Sequence, residues 1–301
     1  MEKSVLEHLT GSTGSCTFRA DEPMAARTTF RIGGCAAPFC LPETPEAFIA
    51  LLDACRQEGV RHMIIGRGNN LLSSDRGFDG AVISTAAMDR ITLDGTNVRA
   101  QCGAALSRLS AVTAEAGLAG LEFAHGIPGS VGGAVYMNAG AYGGEMSGVV
   151  ESARILLGGR IEEVSAEKLR FAYRYSALQD NGGIVLSADL RLKNGNREES
   201  LALIRDLDAR RREKQPLDRG SAGSFFKRPK AGYAGALIEE AGLKGACVGG
   251  AQVSPKHAGF IVNNGNATCE DVLRLRDLVV RTVREKSGVD LEMEVRLAGD
   301  L

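Results

Sequence analysis

Three observations predict an α+β protein built in about three parts. Helical and strand patterns are mixed along the whole chain. At 301 residues the chain is long enough for two or three domains. Two glycine-dense, charge-poor runs, GRGNNLL (66–72) and GIPGSVGGAVYMNAGAYGG (126–144), are set apart by a whole predicted subdomain.

The elements follow in order. Thr44 caps a helix with Pro45 in its first turn, Phe48, Leu51, Leu52 and Cys55 as its buried stripe, and Gly59 as its end. Residues 61–65 form a short strand running into GRGNN, and 81–84 another. Residues 91–93 and 98–102 flank Asp94-Gly95, a hairpin signal. A helix over 105–116 ends at Gly117. Beyond the second glycine run, 149–157 and 161–164 flank Gly158-Gly159, again a hairpin, and 184–192 is a strand. A charged helix over 196–213 leads to a last domain with helices at 233–241 and 269–286. Thr268 is the candidate cap of the latter, with Asp271 three positions on. Strands are expected near 246–253 and 258–262. Residues 290–297 alternate: Leu291, Met293, Val295 and Leu297 on one face, Glu292, Glu294 and Arg296 on the other.

Composition narrows the function classes. Hydrophobic residues make up 44 % and charged residues 24 %, ordinary for a globular protein, and the net charge of −1 offers no global field for nucleic acid. The seven cysteines form no C-x-x-C pair and the four histidines have no ligand spacing, which argues against a disulfide framework or a metal site. No apolar run of about 18 residues predicts membrane insertion, and MEKSVLEHLTG lacks the core of a signal peptide. A cytoplasmic protein with reduced thiols is expected; the oligomeric state stays open. Arg210-Arg211-Arg212 reads as a solvated helix face, with steering of an anionic substrate as the lesser alternative.

The glycine runs carry the first functional signal. Glycine lets backbone approach a ligand closely, and successive exposed N–H groups make concave anion sites suited to a diphosphate. Neither run is a Rossmann fingerprint, and no G-K-[ST] ending marks a P-loop. Two such loops suggest a long ligand, such as a dinucleotide, gripped between subdomains. The second signal is FAYRYS (171–176), GSFFKRP (223–229) and LEMEVR (291–296), each holding a polar residue beside bulky neighbours: Arg174, Ser224 and Glu294. Taken singly, a salt bridge, a turn and a solvated sheet face explain them better than a shared chemistry does.

TTFRIGG (28–34), GRGNNLL, GLEFAHGIPGSVGGAVYMNAGAYGG, FAYRYS, GSFFKRP, KHAGFIVN (256–263) and LEMEVR stand in one order. In that order they resemble the UDP-N-acetylenolpyruvoylglucosamine reductase (MurB) family from about residue 20 to the C-terminus. The resemblance implies a vanillyl-alcohol-oxidase-type FAD-binding module of two α+β subdomains, 1–85 and 86–198, and a C-terminal α+β substrate domain, 199–301. It implies non-covalent FAD held by Gly66, Arg67, Gly68, Asn69, Asn70, Leu71, Gly129, Ser130, Gly132, Gly133, Asn138, Ala139 and Gly140, with NADPH as hydride donor and UDP-N-acetylenolpyruvoylglucosamine as substrate. Arg174, Ser224 and Glu294 become the catalytic set, and Tyr173, Lys227, Arg228 and His257 approach the UDP-sugar. Asn69 departs from the family's usual serine, and 177–200 is too short for the tyrosine-bearing loop of some members, so the chain resembles the shorter subtype. An FAD-dependent sugar or alcohol oxidase, or a non-catalytic nucleotide-binding protein, are the rival readings.

Overall fold

The computed structural model describes residues 8–11 and 13–300. The first sheet combines β1 (Cys16–Arg19), β2 (Phe39–Pro42), β3 (His62–Ile65) and β5 (Ala81–Ser84), while β4 (Leu71–Ser73) stands apart from it. Its order is β1-β2-β5-β3, with β1 antiparallel to β2 and the other pairings parallel. Helix α1 (Pro45–Gln57) covers it, and Thr44 Oγ1 accepts the Ala47 N–H at 3.1 Å, the predicted cap. Its buried residues include the predicted Phe48, Leu51, Leu52 and Cys55.

The second sheet is five-stranded and wholly antiparallel: β6 (Ile91–Asp94), β7 (Asn97–Gln101), β8 (Val150–Leu157), β9 (Arg160–Ser165) and β10 (Ile184–Arg191), in the order β9-β8-β10-β7-β6. Leu157 pairs with Arg160, so Gly158-Gly159 is the two-residue turn the sequence predicts, both at positive φ (57° and 82°). The other hairpin differs by one residue. Asp94 pairs with Asn97, so the turn is Gly95-Thr96 and not Asp94-Gly95. Gly95, at φ 56°, takes the first central position, which a side chain fills poorly. Helix α2 (Leu106–Glu115) follows β7, and the second glycine run contains a helix the sequence does not announce, α3 (Val131–Met137). Two adjacent glycines depress helix propensity; burial of Val131, Ala134 and Val135 overrides it.

Helix α4 (Arg197–Lys214) opens the last part, capped by Asn196 through the Glu198 N–H at 2.8 Å. Beyond it lie α5 (Ala234–Glu240), the antiparallel β11 (Cys247–Val248), β12 (Ala251–Val253) and β13 (Ile261–Asn263), and α6 (Cys269–Ser287), whose Thr268–Asp271 capping box is complete. The long strand expected over 290–297 is the clearest correction. Only β14 (Arg296–Ala298) is strand, and it runs parallel to β4 of the first part. Residues 292–294 instead lie along 225–227: Phe226 bridges Met293, Lys227 N–H donates to the Glu292 carbonyl at 2.8 Å, and Glu294 N–H to the Phe225 carbonyl at 2.9 Å. The alternating pattern is real, but its partner changes midway and breaks the ladder.

Two large cores result. One fills the first two parts; the other packs α5 and α6 against β12 and β13 and takes in Phe30, Ile32 and Leu72. TTFRIGG thus plugs into the last part, where Asn263 Nδ2 donates to the Phe30 and Arg31 carbonyls at 3.1 and 3.2 Å. Among the described residues no helix is long and apolar enough to cross a membrane.

Candidate functional site

One cavity of about 1220 Å³ lies where the three parts meet. It exceeds the roughly 300–1,000 Å³ of common small-molecule sites. Both glycine runs line it: Gly66, Arg67, Gly68, Asn69, Asn70 and Leu71 from the first, and Gly129, Ser130, Gly132, Gly133, Ala139 and Gly140 from the second. The two loops touch. A Cβ on Gly66 would collide with Ser130 Oγ, and one on Gly129 would stand 4.0 Å from Asn69 Oδ1. Gly68 sits at φ 69° with its missing Cβ aimed at the Arg27 carbonyl, so backbone conformation and space both require glycine there. Arg67 Nε donates to the Gly103 carbonyl at 2.9 Å, turning that side chain to a structural task.

Arg174, Ser224 and Glu294 all face this cavity. Arg174 lies in a tight turn closed by mutual hydrogen bonds of Ala172 and Tyr175, both 3.1 Å. Its φ of 55° is unfavourable for any L side chain. Gln179 Nε2 holds the Arg174 carbonyl at 3.0 Å and Asn138 Nδ2 holds that of Ala172 at 3.0 Å. The turn aims the guanidinium at Glu294, with Nε 2.8 Å from Oε1 and side-chain exposures of 23 % and 14 %. The Nε–H does not point along that contact, so the pair is held by charge more than by an aligned hydrogen bond. Burial raises the Glu294 pKa, and Arg174 and then Lys227 pull it back. Ser224 stands two residues before Phe226, on the segment that runs beside Glu294, and bridges Phe260 across the last part. Asn70 ties the first glycine loop to this assembly: its Nδ2 donates to the Glu294 carbonyl at 3.2 Å and its carbonyl accepts the Arg296 N–H at 2.9 Å.

Five of the expected site residues do not line the cavity. Asn138 is fully buried at the left-handed end of α3 and braces the Arg174 turn. Tyr173 is exposed, its phenol accepting the Arg228 N–H at 3.0 Å, and Arg228 stacks over the Tyr233 ring at 4.1 Å. Lys227 pairs with Glu292. His257 packs edge-on against Phe260 at 5.0 Å, its Nδ1 accepting the Gly259 N–H at 3.1 Å, and burial lowers its pKa. Phe260, not His257, reaches the cavity.

Other residues reach the wall without being singled out by the sequence. Arg296 and Gln179 bond to each other across it; the only signal for Arg296 was its place two residues beyond Glu294. Arg31 and Arg219 join Arg67, Arg174 and Arg296 there, and so do Arg211 and Arg212 of the run expected as a solvated helix face, of which only Arg210 stays out of the cavity; Asp208 and Glu294 are the acids. A chain of net charge −1 therefore concentrates positive charge in its cleft, a field that attracts polyanionic ligands.

The bare helix α3 yields a contrast in mutants. A Cβ at Gly133 meets only Ser130 Oγ at 3.5 Å and points into open space, whereas one at Gly132 meets Cys102 Cβ at 2.9 Å. Gly133→Leu should therefore leave the apoprotein as stable as before, since glycine is a poor helix former, yet weaken cofactor binding by about tenfold or more. Gly132→Val should lower the melting temperature by pushing α3 off β7. Flavin titration with thermal melts checks both; equal FAD affinity in a folded Gly133→Leu variant would remove α3 from the cofactor site.

Comparisons with known proteins accord with this geometry. Residues 215–298 match the family model described as UDP-N-acetylenolpyruvoylglucosamine reductase, C-terminal domain, and residues 36–164 match the FAD binding domain. The chain is 47 % identical over 281 residues to the UDP-N-acetylenolpyruvoylglucosamine reductase of Caldanaerobacter subterraneus, covering 93 % of each chain. It is 46 % identical over 286 residues to the same enzyme of Caldicellulosiruptor bescii, covering 94 % of this chain and 91 % of that one. The crystal structure of the reductase (MurB) from Thermus caldophilus superposes with a TM-score of 0.80 at 37 % identity, covering 94 % of this chain and all of that one. Identity of this level across nearly the whole length, with the same fold, means that the chain belongs to the UDP-N-acetylenolpyruvoylglucosamine reductase family.

Proposed function

We propose that this chain is an FAD-containing oxidoreductase that reduces UDP-N-acetylenolpyruvoylglucosamine to UDP-N-acetylmuramate for peptidoglycan synthesis, with Arg174, Ser224 and Glu294 as its catalytic residues. The observation that carries the assignment is that the half-buried Arg174–Glu294 pair and Ser224 face the same cavity as both glycine loops. The residues present fit FAD. The loops offer backbone without side chains, Gly133 opens toward the cavity, and Asn69 carries a buried amide oxygen with no protein partner. That amide can turn either its oxygen or its NH₂ to a ligand.

When bound, FAD supplies the hydride carrier between NADPH and the β-carbon of the enolpyruvyl ether. The chain's own groups polarise and protonate. Negative charge grows at the α-carbon and spreads to the adjacent carboxylate, and the Arg174 guanidinium stabilises it in a site of low dielectric. Glu294 keeps Arg174 from swinging into solvent. The Ser224 hydroxyl gives the proton to the α-carbon. Serine is a weak acid, but an enolate-like carbon is a strong base, so the transfer is downhill. We assign 1–85 and 86–198 to gripping the cofactor and 199–301 to the substrate, with Tyr173, Lys227 and Arg228 on the substrate side. We assign the chain to the cytoplasm, a reading supported by seven cysteines that form no C-x-x-C pair and no disulfide among the described residues.

The purified protein should be yellow, and acid or heat should release its flavin. NADPH should bleach the absorbance, and the enolpyruvyl substrate should restore it without oxygen. A colourless protein that takes up no FAD would sink the assignment; bleaching by a free sugar with oxygen uptake would make it an oxidase.

A further inference from the structure

The basic run at the end of α4 is divided in a way the mechanism above does not use. Arg210 pairs with Asp206 one turn back at 2.8 Å, on the solvent side. Arg212 lines the cavity, and its carbonyl accepts from Lys256 at 2.6 Å. Arg211 also lines the cavity, but two of its nitrogens, Nε and Nη1, are buried and have no protein acceptor. Buried donors on a charged group are costly to leave unmade.

The surroundings explain why no protein group satisfies them. Asp208, three residues back on the same helix, is engaged by His125 Nδ1 at 3.1 Å. From the neighbouring hairpin, Tyr142 directs its hydroxyl to the Leu207 carbonyl at 3.4 Å. The second glycine run contributes Gly126 opposite the guanidinium. A Cβ there would stand 2.7 Å from Nη1 and 3.2 Å from Cδ of Arg211, and 3.2 Å from Oδ1 of Asp208. Gly126 is not among the glycines at positive φ, so its backbone does not demand glycine; the room for Arg211, nearest at 2.7 Å, and for the Asp208 carboxylate does. An arginine that merely clamped α4 to this loop would find acceptors on the loop.

We propose that Arg211 is a phosphate ligand, its guanidinium taking the oxygens of a nucleoside diphosphate ester bound in the cavity, with Gly126 kept bare to seat it. The proposal rests on the cavity being the ligand site assigned above. The planar guanidinium matches phosphate oxygens in shape and charge, and the diphosphate of FAD, of the UDP-sugar or of NADPH presents that chemistry.

The test uses FAD-loaded protein and three variants. Arg211→Gln removes the charge; Gly126→Ala keeps it but pushes the guanidinium aside. Flavin fluorescence on dilution reads the FAD Kd, and flavin absorbance reads titrations with UDP and with NADP⁺. In these two variants the same one of these Kd values should rise about tenfold to a hundredfold, and the third, Arg211→Lys, should restore part of it; the ligand affected identifies the diphosphate. All three Kd values within about twofold of wild type, with only a lower melting temperature, would overturn the proposal and leave Arg211 a packing residue. A wild-type protein that binds neither flavin nor nucleotide overturns the functional assignment along with it, a result the variants cannot mimic.

Discussion

Ser224→Ala should divide the reaction into a half that survives and a half that fails. Bleaching of the flavin by NADPH should proceed near the wild-type rate, while recovery on adding the enolpyruvyl substrate slows by about 10²- to 10⁴-fold, the usual cost of a lost general acid. The structure makes the variant clean. Ser224 is exposed to the cavity, and the backbone beside it is pinned by Phe225 N–H on the Gly259 carbonyl at 2.8 Å and Glu294 N–H on the Phe225 carbonyl at 2.9 Å. Removing one oxygen disturbs neither bond. Stopped-flow absorbance reads the halves separately. Loss of the NADPH half alone would move Ser224 to nicotinamide or flavin binding; two normal halves would leave it a turn residue.

Arg174→Lys should cut turnover by roughly 10- to 10²-fold with FAD content near normal, less than the 10²–10³ typical for deleting a whole stabilising donor. Lysine keeps the charge but loses the planar set of donors that meets both Glu294 and a carboxylate. Arg174→Gln goes further, because it strips the charge that opposes the desolvation of Glu294. The carboxyl pKa, already raised by burial, should climb again. Activity that needs ionised Glu294 should then disappear at a higher pH as the solution is acidified, while the lysine variant keeps a near-normal acid limb. A pH–rate profile on the three proteins decides it. Identical profiles and turnover would demote Arg174 to a structural ion pair.

Much of the fold was legible because its signals are local. Thr44 and Thr268 cap helices within three residues of themselves, and Gly158-Gly159 turns a hairpin from inside two positions. The failures mark places where distant packing won. Helix α3 forms against the propensity of Gly132 and Gly133 because three of its apolar side chains are buried. The alternation over 290–297 is a real pattern but not one strand, since its partners are 225–227 and then Leu71–Ser73. Arg174 gave no sign of its positive φ; a turn of that kind favours glycine, and the arginine is there for its side chain.

By itself the sequence determined the α+β class, the long helices, the Gly158-Gly159 hairpin and the family, because caps, turns and periodicity are encoded over a few residues and seven motifs in one order leave little freedom. Only the tertiary structure decided what meets what. It set Asn69 against Gly129, Asn70 against Glu294 and Glu294 against Arg174, pairs 60, 224 and 120 residues apart. It also drew Arg211 into the cavity while its neighbour Arg210 pairs at the surface. Which side of a helix faces a ligand depends on how that helix docks, and docking is fixed by the burial of surfaces far apart in the chain, which no local pattern records.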